Sequence, residues 1–136
     1  MCGGVKYHQD GQERTVYFPA PKAALPVRLK SGEVELITWG RRNGEDGHLP
    51  QTGWAKIESI EGHKWERNNP HPVKIAVGAY MEKDKQGLSY WFDMQPGEFI
   101  QGLVAQWNGK RRIYVVTTVP TEPKHAVIHD RWPRIV

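Results

Sequence analysis

The amino-acid sequence predicts an α+β fold that is predominantly β. Ten prolines and fourteen glycines divide the 136 residues into short segments, and these two residue types are the strongest markers of turns. Several segments are rich in β-branched and aromatic residues, which is typical of strands. Only two segments have the length and composition of helices, and both are weakly amphipathic. We therefore expect a sheet structure with a few short helices.

The elements are predicted from clusters of β-branched and aromatic residues that lie between turn residues. In chain order, the predicted strands are residues 15–18, 34–38, 73–79, 88–92, 99–107 and 112–118. The predicted helices are residues 54–61 and 122–129. Glycines and polar residues fill positions 40–53, which we interpret as one long loop that is either functional or mobile.

Length and composition describe an ordinary single domain. A chain of 136 residues closes one hydrophobic core but not two, so we expect one domain over residues 1–136. The start lacks the apolar run of a secretory signal, and no segment is long and apolar enough to cross a membrane. We therefore expect a cytoplasmic protein without a membrane partner. We also expect a monomer. A formal net charge of +4 and a pI near 9.3 favour a polyanionic partner such as nucleic acid.

The single cysteine, Cys2, follows the initiator methionine and is either incidental or chemical. No sequence spacing suggests a disulfide or a metal site, so we expect no metal and no other cofactor. Cells are expected to remove an initiator methionine that precedes so small a residue, which would leave Cys2 with a free α-amine beside its thiol. An α-amine titrates near pH 8 and attacks aldehydes at physiological pH. The thiol would then close a five-membered thiazolidine on the imine, because proximity makes this step intramolecular.

Further motifs follow Cys2 in order along nearly the whole chain. They are Met1-Cys2-Gly3, Tyr17-Phe18-Pro19-Ala20-Pro21, Trp39-Gly40, Trp54-Ala55-Lys56-Ile57-Glu58-Ser59, Gly78-Ala79-Tyr80-Met81-Glu82 and Ile128-His129-Asp130-Arg131-Trp132-Pro133. This ordered set resembles the SOS response-associated peptidase (SRAP) family. The resemblance implies a barrel-like mixed sheet with a few short flanking helices. It also implies a sensor of abasic sites, in which Cys2 forms a thiazolidine crosslink with single-stranded DNA, and a peptidase that removes residues preceding Cys2.

The resemblance assigns catalytic roles to Cys2, Glu82 and His129. His129 would transfer protons at the deoxyribose oxygen, since the pKa of histidine lies near neutrality. Glu82 would shuttle protons during imine formation, although it stands one residue later than the family's glutamate. In a strand, such a shift turns a side chain to the other face. Either a β-bulge corrects the shift, or Glu82 is a solvated charge.

Six residues are candidates for contact with DNA. Lysine and arginine neutralise phosphates, and exposed aromatic rings stack on unpaired bases. Trp54 stands where the family has an asparagine that touches the sugar, so it offers a ring instead of a carboxamide. Several of the chain's six tryptophans must nevertheless fill the core. The candidates are Trp39, Arg41, Arg42, Trp54, Lys56 and Arg131.

Two other functions fit the same residues. An N-terminal-cysteine hydrolase would use the α-amine as base and the thiol as nucleophile toward a peptide or amide. A non-catalytic single-strand binder would keep a salt-sensitive affinity for DNA without any role for Cys2. His125 and His129 stand four residues apart, but a single pair at this spacing is more often structural than a metal site.

Overall fold

Strands make up most of the regular structure. A computed structural model describes residues 2–136, apart from the side chain of Lys124. The strands are β1 (Gly4–Gln9), β2 (Gln12–Tyr17), β3 (Ala24–Arg28), β4 (Val34–Thr38), β5 (Trp54–Lys56), β6 (His71–Ile75), β7 (Ala79–Lys83), β8 (Ser89–Asp93), β9 (Ile100–Trp107), β10 (Lys110–Thr118) and β11 (Trp132–Pro133).

Helices are few and short. They are α1 (Ile57–Glu61), α2 (Pro123–Ala126) and a 3-10 turn over Glu66–Asn68. Within residues 2–136, no helix has the length and apolar character needed to cross a membrane. The prediction of an α+β fold that is predominantly β is therefore confirmed.

The strands form two sheets, of which the smaller is antiparallel and the larger is mixed. The smaller sheet has four strands in the order β2-β1-β7-β8, all antiparallel. The larger sheet has seven strands in the order β11-β10-β9-β6-β3-β4, and β5 pairs in parallel with β10. At its far edge, Trp39 at the end of β4 forms a bridge to Ile113 of β10, and the backbone N–H of Gly40 donates to the Ile113 carbonyl over 2.8 Å. The larger sheet therefore curls, so that β4 at its edge comes back to β10 through a single bridge.

Alternate side chains of β10 pack into two different hydrophobic clusters. Ile113 and Val115 pack into a cluster that also takes Val5 and Tyr80 from the smaller sheet. Tyr114 points the other way and joins a second cluster that includes Leu49, Ala55, Trp65, Leu103, Ala105 and Val116. Because successive strand residues face opposite sides, a strand covered on both faces reads as one apolar run. This explains why the sequence signal for β10 is strong.

Several predicted elements have different bounds in the structure. Residues 73–79 were predicted as one strand, but β6 ends at Ile75 and β7 begins at Ala79. The predicted helix at 54–61 begins as β5, because Trp54–Lys56 pair with Val115–Thr117. The predicted helix at 122–129 is limited to Pro123–Ala126. Strands β1, β3, β5 and β11 were not predicted.

We expect Gly102→Ala to destabilise the protein by about 1–3 kcal/mol, as overpacking of a core does. A Cβ at Gly102 would lie 2.7 Å from Ile113 Cδ1 and 2.8 Å from Ile75 Cδ1, and both isoleucines are fully buried. Chemical denaturation measures the change in free energy of unfolding. Gly78→Ala is the control, because a Cβ there would meet only the Lys6 carbonyl at 3.8 Å. Equal stability of the two variants would show that the packing at Gly102 is loose.

Candidate active site around Cys2

Cys2 is held in the core by contacts to its backbone and its thiol. Its side chain is fully buried. The indole N–H of Trp54, at the start of β5, donates to the Cys2 carbonyl over 2.6 Å. The Cys2 thiol donates to the Gly4 carbonyl over 3.5 Å. The segment before β1 is therefore anchored against β5, and Met1 lies outside the described residues, so removal of Met1 stays a prediction.

An irregularity in the pairing of β1 with β7 brings Cys2 to the face that carries Glu82. Gly4 pairs with Met81 in the register of the two strands. The N–H of Gly3 also donates to the Met81 carbonyl, over 3.2 Å. Two residues of β1 thus lie opposite one residue of β7, which is the arrangement of a β-bulge. We infer that this extra residue brings Cys2 opposite Glu82, since the charge of Glu82 acts on the Cys2 thiol.

The side chain of Glu82 is fully buried. Of the two interpretations from the sequence, the solvated charge is wrong. The physical reason is that β7 is covered on both faces, with Ala79, Tyr80 and Met81 buried as well. The bulge lies in β1 at Gly3 and Gly4, while the register of β7 with β8 is continuous.

Burial controls the protonation of both groups. Desolvation raises the pKa of Glu82 to about 7. Desolvation, followed by the nearby charge of Glu82, raises the pKa of the Cys2 thiol to about 12. At neutral pH the thiol is therefore protonated, and Glu82 is poised between its acid and its carboxylate. Such a carboxyl group can both accept and return a proton near neutrality.

His129 lies after α2 and is oriented by its neighbour along the chain. Its Nδ1 atom accepts a hydrogen bond from the backbone N–H of Arg131 over 3.0 Å. We infer that neutral His129 carries its proton on Nε2, because Nδ1 is the acceptor. Desolvation lowers the pKa of His129. The imidazole is therefore neutral at physiological pH, and its Nε2–H can donate a proton.

A surface cavity of about 370 Å³ opens beside Cys2. We call it the Gly3 cavity. Its volume lies within the range of about 300–1,000 Å³ that is common for small-molecule sites. It joins residues that are far apart in the sequence, since His129 and Trp54 face it together. The lining residues are Gly3, Tyr17, Phe18, Trp54, Met81, Lys83 and His129.

Five residues of this cavity were not predicted as site residues: Gly3, Tyr17, Phe18, Met81 and Lys83. Tyr17, Gly4 and Met81 lie in one cross-strand row, and residues directly opposite in antiparallel strands share a face. The β1–β2 hairpin could have been predicted from Asp10-Gly11, a dipeptide that favours tight hairpin turns and whose two residues have positive φ angles. The places of Met81 and Lys83 at the cavity could not have been predicted, because they depend on the nonlocal pairing of β7.

Three arginines predicted to contact DNA make hydrogen bonds within the protein. Arg131 Nη2 donates to the Thr117 carbonyl over 2.8 Å, and Arg131 Nη1 lies 3.0 Å from Glu58 Oε2. Arg41 donates through Nε to the Leu49 carbonyl and through Nη1 to the Glu45 carbonyl.

Arg42 is tied to the segment before β3. Its Nε donates to the Ala20 carbonyl over 3.0 Å, and its guanidinium carbon lies 5.2 Å from the centre of the Phe18 ring. Arg41 therefore holds the loop of residues 40–53 together internally, and Arg42 fixes that loop to the segment before β3. Contact between these arginines and DNA stays a prediction that would require them to exchange partners.

The other three predicted DNA contacts differ in accessibility, and Trp54 lines the Gly3 cavity. Lys56 is exposed at the end of β5. Trp39 is fully buried, and its indole N–H donates to the Gly53 carbonyl over 2.9 Å. The prediction of DNA contact by Trp39 is therefore wrong for this fold, because its ring fills the core where β4 meets β10.

The described residues offer no metal site. Within residues 2–136, no group of three or more histidine, cysteine, aspartate or glutamate side chains could hold a metal ion. The ring of His125 stacks on Trp132, with 4.2 Å between the ring centres, whereas His129 lines the Gly3 cavity. The two histidines therefore have separate surroundings.

Comparison with known proteins leaves the family unassigned. No family model matches the chain, and no curated protein matches it. The resemblance to SRAP proteins therefore rests on the sequence motifs alone.

We expect Glu82→Gln to remove a pH dependence of stability. The pKa of Glu82 is raised from 4.5 to about 7 in the folded protein, so the stability of the wild-type protein declines as the pH rises through this interval. The decline amounts to as much as about 3 kcal/mol. Glutamine cannot ionise, so the free energy of unfolding of the variant, relative to wild type, should increase from pH 4.5 to pH 8. Glu13→Gln on exposed β2 is the control, and parallel pH curves for Glu82→Gln and wild type would contradict the buried carboxyl.

We expect Trp54→Phe to loosen the segment that carries Cys2. Phenylalanine keeps an aromatic ring next to Phe18 but loses the N–H that donates to the Cys2 carbonyl. Loss of this hydrogen bond should cost about 1 kcal/mol and should speed the reaction of the Cys2 thiol with a disulfide reagent. Trp91→Phe, a half-buried position on β8, is the matched control. A thiol reaction rate equal to that of Trp91→Phe would show that the bond does not restrain Cys2.

Proposed function

We propose that the protein is an SRAP-type sensor of abasic sites, which captures the aldehyde of an abasic site in single-stranded DNA as a thiazolidine on Cys2. The observation that carries this proposal is the convergence of three distant positions. Cys2 and Glu82 share a buried face at the bulge, and His129 lines the cavity that adjoins it. We also propose that the curled larger sheet corresponds to the barrel-like core of that family.

The chemistry begins at the α-amine of Cys2 once the preceding residue has been removed. The neutral amine attacks the carbonyl carbon of the ring-opened deoxyribose, and loss of water gives an imine. The thiol sulfur then bonds to the imine carbon, and the nitrogen takes up a proton. Water is the only product released, and no oxidant or reductant is needed. The peptidase activity that the resemblance implies would serve to free this amine.

The protonation states of the site suit these steps. A carboxyl group with a pKa of about 7 can donate a proton to the departing water and can accept the proton of the thiol during ring closure. The thiol has a pKa of about 12, so it needs such an acceptor at neutral pH. Neutral His129 is suited to move a proton at the sugar oxygen.

The surroundings of the Gly3 cavity suit a single strand. Tyr17 is 47% exposed, and its ring lies 6.3 Å from that of Trp91 across the position of Gly4. Lys83 is exposed at the cavity and offers a positive charge for a phosphate. Aromatic rings with neighbouring cations are the usual means of holding unpaired bases and their backbone.

The hydrolase alternative is weaker on electrostatic grounds. A cysteine hydrolase attacks with a thiolate, and burial beside Glu82 makes the thiolate of Cys2 rare at neutral pH. Thiazolidine formation begins with the amine instead, so it tolerates a protonated thiol. The non-catalytic binder is distinguished by the experiment below.

We expect processed wild-type protein to form a band that survives a denaturing gel with an oligonucleotide containing one abasic site. Cys2→Ala should form no stable product. Cys2→Ser keeps the amine but lacks the thiol, so it should yield a product only when the imine is reduced with borohydride. Glu82→Gln and His129→Asn should slow the reaction by about 10²-fold, the low end of general acid–base effects.

Controls separate the competing functions. An oligonucleotide without an abasic site tests whether the band needs the aldehyde, and intact mass checks that Met1 is absent. A stable band of equal intensity from Cys2→Ser without borohydride would contradict thiazolidine formation. Binding of DNA without any crosslink by processed wild type would favour the non-catalytic binder.

A further inference from the structure

A second cleft lies on the larger sheet, where strands β3 and β6 separate. The two strands pair only through Val27 with Ile75 and Arg28 with Lys74. The chain then turns away at Leu29, whose N–H donates to the Glu33 carbonyl over 2.8 Å. The separation leaves a cleft of about 500 Å³, which we call the β3–β6 cleft, lined by Arg28, Leu29, Lys30, His71, Pro72, Val73 and Lys74. None of these residues lines the Gly3 cavity.

Pro72 gives a physical reason for the separation. If the register of β3 and β6 continued, Lys30 would lie opposite Pro72. Proline has no N–H to donate to a sheet, so a further rung of the ladder cannot form there in full. Pro72 therefore limits the pairing of β3 with β6, and the turn after β3 places Leu29 and Lys30 on the other side of the cleft.

The cleft has an unbalanced positive charge. Arg28 and Lys74 lie directly opposite each other, an arrangement that is unfavourable for like charges. Both cations lie 5.3 Å from the centre of the Phe99 ring, which gathers them on one side of the cleft. Lys30 adds a third positive charge, and no lining residue is acidic. Across residues 2–136, no carboxylate forms an ion pair with any of these three cations.

Other basic residues on the larger sheet are arranged differently. Arg111 pairs with Glu35, and Arg112 pairs with Glu45 over 2.8 Å. The cations of the β3–β6 cleft differ from these two arginines in having no carboxylate partner, and three of them line one cleft. His71 adds a further polar group, because its Nδ1 is engaged with the Asn69 carbonyl at 2.9 Å and its Nε2 remains for a ligand.

We propose that the β3–β6 cleft binds the phosphodiester backbone of a nucleic acid strand, at a site separate from Cys2. Two cross-strand cations and a third cation at the turn match a chain of phosphates better than one small anion, because an extended polyanion meets several cations at once. Binding of this kind releases counterions and is independent of base sequence. The site would hold nucleic acid whether or not an abasic site is present, so it does not depend on the chemistry of Cys2.

The test measures binding of an intact oligo-deoxythymidine of twelve nucleotides by fluorescence anisotropy at several salt concentrations. The double variant Lys30→Gln with Lys74→Gln should raise the Kd about tenfold at low salt. It should also reduce the slope of log Kobs against log salt by about 1.4, as expected for two lost phosphate contacts on a single strand. The double variant Lys85→Gln with Lys110→Gln has the same net charge and changes two exposed lysines outside the cleft. It should leave the Kd within about twofold of wild type.

Each outcome decides the proposal. Equal losses of affinity in the two double variants would overturn it, because only overall charge would then matter. Backbone amide shifts at residues 28–30, 71, 73 and 74 on addition of the oligonucleotide, with or without shifts at the Gly3 cavity, would support it, and their absence would overturn it. The same shifts with inorganic phosphate but not with the oligonucleotide, at equal phosphate concentration, would overturn it in favour of a small-anion site. Since no abasic site is used, failure of crosslinking leaves these outcomes unchanged.

Discussion

The pairing of β1 with β7 is the constraint on which the candidate site depends. It joins the start of the chain to a strand that is buried on both faces, and its bulge at Gly3 and Gly4 turns Cys2 toward Glu82. A regular ladder would place these two side chains on opposite faces. The same pairing aligns Tyr17 and Met81 on the other face, where they line the Gly3 cavity. The bulge therefore separates the buried pair of ionisable groups from this cavity.

Burial and mutual repulsion set the protonation states of Cys2 and Glu82. Burial disfavours charge on both groups, and the two acids cannot both ionise without repulsion, so the thiol keeps its proton while Glu82 titrates near neutrality. This arrangement costs stability as Glu82 ionises, which is common at sites where protonation serves chemistry. Trp54 restrains the segment around Cys2 by donating its indole N–H to the Cys2 carbonyl. The resemblance implies an asparagine that touches the sugar at this position, so it does not predict this role.

Positive charge has two different uses in this protein. Arg41, Arg42 and Arg131 have planar groups with several donors, and all three bind backbone carbonyls. Arg41 binds carbonyls within its own loop, whereas Arg42 and Arg131 join their segments to the chain before β3 and to β10. The cations of the β3–β6 cleft lack such partners, although nothing in the sequence distinguishes them from these three arginines. A net charge of +4 is consistent with binding to polyanions, but the location of that binding depends on which cations are already neutralised.

The sequence by itself determined the predominance of strands and the loop of residues 40–53, because these follow from local composition, and it singled out Cys2 as a candidate because of the chemistry of that one residue. It did not determine β1, the short bounds of both helices or the burial of Trp39, since each depends on pairing with segments distant in the chain. The bulge, the raised pKa of Glu82 and the separation of β3 from β6 were decided by the tertiary structure alone. Desolvation and strand register arise only when distant segments pack together, and no local pattern encodes either of them.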